Sequence, residues 1–427
     1  MRLRAGIAIG AALLASACVR VIPEGPQVAG PAPVETPAPV ASPTPEPSPT
    51  PATARLLGLA AGPSVESLAF DEADAAGALA SFRESCPKLL ARGDVSGMTR
   101  TADWELVCQS ASNWRGGARE FFATLFETIR VGDGAAFATG YFEPEIAGSR
   151  TRRVGYDQPV YGMPRDLERA WPADVPEAER TGRPPLGRYD ETGAFVPYFE
   201  RSEIMAGALL PSGTPPIYQP GVTYPPPALN GRAPVLAWAA DPVEFFFLQI
   251  QGSGMLRLPD GNMMRIGYAG QNGREYTGIG RVMREAGMIG DGTPYPTSMQ
   301  GIMAYIRANP EQGREVMNLN KSWIFFRELT TDGPLGALEV PVRGRSSVAV
   351  DPNYVTMGAP VFLDMVRDEA DGLWIAQDTG GAIKGANRFD TFWGNGPEAR
   401  QIAGGMSSRG TALVLVPRGT LAFHGLR

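Results

Sequence analysis

Residue types able to do acid–base work converge on one stretch, Trp374-Ile375-Ala376-Gln377-Asp378-Thr379-Gly380-Gly381-Ala382-Ile383-Lys384-Gly385, which closes on Phe389-Asp390. An apolar run enters an acid followed by two glycines, so the backbone can turn sharply and approach a ligand closely. A second carboxylate follows 12 residues on. Two carboxylates held near one another in a cleft have their pKa values pushed apart, leaving one protonated near neutral pH as a general acid. The chain has a single histidine, His424, near its C-terminus. That excludes most histidine zinc sites and any Ser-His-Asp triad that avoids the tail. Asp378-Thr379-Gly380 also reads as a plain turn, or as an aspartic-protease motif. It occurs once, however, and follows Ala376-Gln377 rather than paired apolar residues, so a protease would need self-association to complete its dyad.

The elements that position these acids are mostly short strands. From Leu335 onward, Val340-Pro341-Val342, Ser347 to Val350, Val361 to Leu363, Trp374 to Ala376 and Ala412 to Val416 alternate with glycine turns, which predicts a small β-barrel. Helical spacing of apolar residues marks Ser64 to Leu90 and Ala118 to Ile129, and again Ile279 to Ala286 and Met299 to Ala308. Strand and turn character begins at Thr139. Pro242 to Ile250 is a continuous apolar run, predicted as a buried strand leading into Gly252-Ser253-Gly254.

With 427 residues, two domains are expected, and 52 glycines with 40 prolines favour turns and strands over long helices. A net charge of −6 without any Lys/Arg cluster argues against nucleic acid and suits a neutral or amphoteric polymer.

The N-terminus is an address. Arg2 and Arg4 precede an apolar run, Ala5 to Ala15, too short to span a bilayer, so residues 1–17 read as a signal peptide. Leu14-Ala15-Ser16-Ala17-Cys18 is similar to a bacterial lipobox with Cys18 as the lipidated residue, and Val19 after it fits outer-membrane sorting. Ala15-Ser16-Ala17 also satisfies an ordinary signal peptidase. Residues 18–54 form a Pro-rich tether whose extended run, Pro23 to Pro51, would reach about 90 Å. Export in turn predicts a disulfide between Cys86 and Cys108.

Ordered segments along the rest of the chain carry a resemblance. They are Thr139-Gly140-Tyr141-Phe142, Ser202-Glu203-Ile204, Phe247 to Gly254, Gly267 to Gly273, Asn320 to Phe326, Pro341 to Ser347 and Asp378 to Asp390. Together they resemble the membrane-bound lytic murein transglycosylase A family, and the last block looks like the three-aspartate domain, with Asp351, Asp378 and Asp390 as its acids. The resemblance implies a mainly β chain: a double-psi β-barrel from residues 55–143 and 332–427, with a second β-rich domain, 144–331, inserted. It also implies a groove between the two for peptidoglycan glycan strands, and no metal or organic cofactor. Asp390 is carried over as the catalytic acid and Asp378 as its supporting carboxylate. Ala386-Asn387-Arg388 is one residue longer than the family pattern.

On this reading Gln249, Gln251 and Ser253 alternate on a strand end beside Gly254, presenting amides and a hydroxyl to amino sugars. Tyr141 and Trp393 either stack on sugars or pack in the core. Lys384 is a further candidate substrate ligand; its charge acts to lower the pKa of Asp390, whereas Asp378 acts to raise it by like-charge repulsion or holds it by a shared hydrogen bond. The implied reaction cleaves the bond between N-acetylmuramic acid and N-acetylglucosamine, giving 1,6-anhydro ends. The implied location is the periplasm, on an outer-membrane lipid anchor and alongside other cell-wall enzymes. A non-catalytic peptidoglycan-binding lipoprotein and a hydrolytic glycosidase of the same fold are the alternatives.

Overall fold

A computed structural model describes residues 52–206, 229 and 231–426. The expected signal peptide, Cys18 and the tether before residue 52 lie outside the described residues.

Thr53 caps a first short helix, Ala54–Leu57. Helix Glu72–Leu90 follows, started by Asp71, whose carboxylate accepts from Asp74 N. Its buried face meets helix Thr101–Asn113, and a disulfide joins Cys86 on one to Cys108 on the other. Helix Ala118–Leu125 is shorter than the spacing predicts. At Phe126 the backbone turns extended (φ −118°, ψ 159°), and strand Phe126–Val131 begins. β-Branched Thr128, Ile129 and Val131 favour the pleat, and Phe126, Thr128, Ile129 and Val131 are buried in it.

Six strands close on themselves. Around the ring they run Ser407–Pro417, Pro360–Met365, Gly372–Asp378, Ser347–Ala349, Arg388–Asn395 and Ala135–Glu143; the last pairs back onto residues 407–411. Strand Phe126–Val131 extends the sheet along the far half of Ser407–Pro417. Closure removes the free edges that short strands would otherwise expose. The predicted strand Val340-Pro341-Val342 is absent. That segment is a tight loop with one isolated bridge, Leu335 to Pro341, because Pro341 has no N–H for a ladder and Glu339 takes a left-handed φ of 59°.

Residues 145–329 carry a second, six-stranded sheet, in the order Ile324–Leu329, Met263–Gln271, Ser253–Arg257, Glu145–Ser149, Val235–Ala239, Gln158–Tyr161. A small three-stranded sheet, Glu168–Arg169, Leu186–Tyr189 and Phe195–Pro197, projects from it in sequence.

The predicted strand at Pro242 to Ile250 is instead a helix, Pro242–Gln251. Asp241 caps it by accepting from Val243 N and Glu244 N, Pro242 occupies its first turn, and Gly252 ends it at a left-handed φ of 83°. The helix lies between two apolar clusters. Phe245 and Leu248 face the core of the second sheet, while Val243, Phe246 and Phe247 face the helices 279–285 and 299–308. Burial on both sides puts Val243, Phe245, Phe246, Phe247 and Leu248 almost in succession and erases the helical period.

One side chain holds both chain crossings between barrel and insert. Arg265 donates to both carboxylate oxygens of Glu143, the last residue of the barrel strand, and its Nη1 donates to Thr331 O at 2.7 Å on the way back. Glu143 is buried, with 1% of its surface accessible.

Candidate active site

Ala349 sits between the two acids. Its strand pairs with Asp378 on one side and with Asp390 on the other. Two strand spacings separate the acids, roughly 10 Å between Cα atoms. A bulge between Val348 and Ala349 breaks the alternation there, a common device for aiming a side chain at an active site.

Asp390 pairs on its other flank with Thr139. Thr139 Oγ1 lies 2.5 Å from Asp390 Oδ1, and Arg388 Nη2 donates to the same Oγ1 at 2.9 Å. Arginine cannot accept, so the threonine proton must point at Asp390. Oδ1 is thereby an acceptor, and a protonated Asp390 carries its hydrogen on Oδ2. Burial is the largest influence on this acid and pushes its pKa up to about 6. The Thr139 hydrogen bond and the Arg388 charge pull the other way, and the Asp378 charge adds to the rise.

Asp378 is braced rather than free. Its Oδ1 accepts from Ala337 N and Thr379 N, both at 2.8 Å, and its Oδ2 accepts from Tyr141 Oη at 3.0 Å. Burial outweighs these donors and raises its pKa as well. Tyr141 is pushed well above the usual phenol range, by burial first and then by the Asp378 charge. Its ring packs on Phe392 at 4.9 Å. The strand behind Asp378 is anchored by Gln377, wholly buried, whose amide donates to Ser81 O and Ser85 Oγ on helix Glu72–Leu90 and accepts from Ser347 Oγ.

The structure redistributes the other candidates. Gln249, Gln251, Ser253 and Gly254 do not alternate on one strand, because the helix ends between them. Gln249 is buried and accepts from Arg201 Nη1 at 2.5 Å; Gln251 accepts from Phe142 N at 2.9 Å and so ties the insert helix to the barrel strand. Ser253 is buried at the start of its strand, and Gly254 is a packing glycine whose Cβ would meet Pro144 O at 2.9 Å. Tyr141 is likewise internal, a brace for Asp378 rather than a sugar platform. Trp393 belongs to the core, donating to Thr391 Oγ1 and crossing Trp374 edge-on. Asp351 is buried away from the pair, its Oδ2 accepting from Gly385 N to fasten the loop between the acids. Lys384 is exposed on that loop. In Ala386-Asn387-Arg388, Asn387 is left-handed at φ 54° and its Nδ2 donates to Val131 O.

Three contributors escaped the sequence reading. Thr139 was legible as the neighbour two places from Tyr141 on the same strand face. Arg388 shows no distinguishing pattern. Tyr276, on the insert loop after strand Met263–Gln271, is 41% exposed, and its pKa is raised by partial burial and then by the Asp390 charge, so the insert reaches the acid through it.

The chain is similar to known proteins along most of its length. A family profile described as the MltA specific insert domain matches residues 137–327, and one described as the 3D domain matches residues 346–416. The crystal structure of MltA from Neisseria gonorrhoeae is 36% identical, with a TM-score of 0.64 over 84% of this chain and 90% of that one. MltA of Escherichia coli with bound chitohexaose is 25% identical, with a TM-score of 0.57 over 84% of this chain and 94% of that one. The curated membrane-bound lytic murein transglycosylase A of Escherichia coli K12 is 29% identical over 288 residues, 65% of this chain, and the match spans 64% of that protein's length. The chain belongs to the membrane-bound lytic murein transglycosylase A family.

Proposed function

We propose that this chain is a peptidoglycan lytic transglycosylase in which Asp390 alone acts first as acid and then as base. The observation that carries the reading is the half-buried Asp390, held at a pKa of about 6 with Oδ1 occupied by Thr139 and Oδ2 left to carry the proton. Family membership supports the substrate class, as does the chitohexaose bound by the E. coli relative.

Asp390 Oδ2 gives its proton to the glycosidic oxygen between N-acetylmuramic acid and N-acetylglucosamine. The C1–O bond breaks as an oxocarbenium-like state develops. The resulting carboxylate takes the proton of the muramoyl C6 hydroxyl, and O6 bonds to C1. The products are a free N-acetylglucosamine 4-hydroxyl and a 1,6-anhydro end, with no water consumed. Proton transfer of this kind contributes about 10²–10⁴-fold. Asp378, with its oxygens committed to three donors, adds negative potential near the oxocarbenium and a small push to the burial that raises the Asp390 pKa. Lys384 stays a rim contact for the glycan, and export, the Cys18 lipid anchor, periplasmic placement at the outer membrane and association with other cell-wall enzymes complete the proposal.

The test compares wild type and Asp390→Asn on isolated sacculi. Soluble muropeptides with anhydro ends from wild type, and none from a variant that still binds sacculi, are expected. Equal release by both proteins would remove Asp390 from the mechanism, and binding without release by either would favour a binding module.

A further inference from the structure

The small three-stranded sheet of the insert carries a pocket that the acid site does not use. Its cavity, about 440 Å³, is bounded by Trp171, Asp174, Tyr189 and Phe195. The rings stay accessible: Tyr189 keeps 51% of its surface, and Trp171 and Phe195 are half-buried. Tyr189 and Phe195 pack edge-to-face at 68° with centroids 5.3 Å apart, and both line the cavity. Asp174 is exposed and makes no ion pair among the described residues.

Accessible rings beside an uncommitted carboxylate form an amphipathic surface. A pyranose is its complement: its axial C–H face packs on aromatic rings, and its hydroxyls and acetamido N–H donate to a carboxylate. The location adds a second argument. Strand Leu186–Tyr189 presses against the insert loop, where a Cβ on Gly273 would lie 2.5 Å from Leu186 Cβ. Three residues further along the same loop is Tyr276, whose phenol pKa is raised by burial and then by the Asp390 charge. Leu186 to Tyr189 spans about 10 Å of strand, and Gly273 to Tyr276 at most about 11 Å. The strand that bounds the pocket thus packs against the loop whose Tyr276 feels the Asp390 charge, which links pocket and acid through one short segment of the insert.

We propose that the pocket of Trp171, Tyr189 and Phe195 is a remote glycan subsite, holding a pyranose of the same β-1,4-linked amino-sugar strand whose bond is cut at Asp390. The subsite rests on the transglycosylase reading and deepens it. It holds long strands, so that successive cuts fall on a chain already bound, and it leaves short fragments to the acid site alone.

The test uses the full chain with Asp390→Asn, with and without Trp171→Ala and Tyr189→Ala together. Affinity is measured for a chitin trimer, for a long chitooligosaccharide and for sacculi. Expected is an unchanged trimer affinity and a loss of about tenfold on long strands, the scale of one or two ring contacts. Trp171→Phe, which keeps a ring, should restore most of it. Equal affinities at every length overturn the subsite, as does a pocket that answers only to removal of residues 207–228, which would make that segment its occupant. Failure of the transglycosylase reading looks different: wild type then releases no anhydro products, whatever the pocket variants do.

Discussion

At Asp390, burial and hydrogen bonding oppose each other, and in the proposed mechanism that balance sets the pH range of the reaction. Burial wins, placing the pKa at about 6, so the acid form needed for cleavage is lost as pH rises through that value. Thr139→Val removes the donor to Oδ1 while keeping the shape. The carboxylate loses a stabilising bond, its pKa rises, and the alkaline limb of kcat/KM moves to higher pH; Arg388→Met should move it the same way. A drop in rate with no movement of the limb would reduce Thr139 to a packing residue. The same acid also bears on stability. Its folded pKa lies above the ordinary 3.8, so the native state holds the extra proton and stability falls as pH rises from about 4 to about 6. Asp390→Asn should therefore be more stable than wild type above pH about 6, by up to about 3 kcal/mol, and no different below pH about 4. Urea unfolding at the two pH values reads this directly.

The helix Pro242–Gln251 and the clamp at Arg265 act on the acid through the placement of whole elements. Arg265→Met strips the counter-ion from a carboxylate with almost no solvent access and frees the return crossing at Thr331. An orphaned buried charge costs about 3–5 kcal/mol. The expected result is that loss in denaturant unfolding, together with a KM for sacculi raised more than kcat is lowered, because the insert no longer holds its angle to the barrel. An unchanged KM would detach the clamp from substrate binding. Element types were legible where one face alone is buried. The run Pro242 to Ile250 misled because both faces are, and its true signals were Asp241 before the helix and Gly252 after it. Ala118 to Ile129 misled because one apolar pattern continues through a change from helix to strand at Phe126.

Across the whole molecule, the sequence exposed the acids and the order of the segments, while contacts between distant residues stayed hidden. Asp378 stands out before Gly380 and Gly381, and Asp390 as the next carboxylate after it. Their partners Thr139 and Tyr141 lie more than 200 residues upstream, and only the closing of the barrel brings them in. Tyr276 reaches the site from the insert, on a loop with no apolar period to announce it. The helical layer is fastened to the barrel in the same long-range way, by Gln377 across to Ser81 and Ser85, while the Cys86–Cys108 disulfide ties two of its helices together. That disulfide closes a loop of 22 residues, worth about 3 kcal/mol through the unfolded chain. A Cys86→Ala, Cys108→Ala double variant should lose that much in urea while keeping the pH profile of cleavage; a shifted profile would mean that the helical layer tunes Asp390 through Gln377. The central claim is that a sugar hydroxyl, not water, completes the reaction, and digestion of sacculi in ¹⁸O-water tests it most directly. The account predicts soluble muropeptides with anhydro ends and no ¹⁸O, and products bearing one ¹⁸O at a reducing end would contradict it.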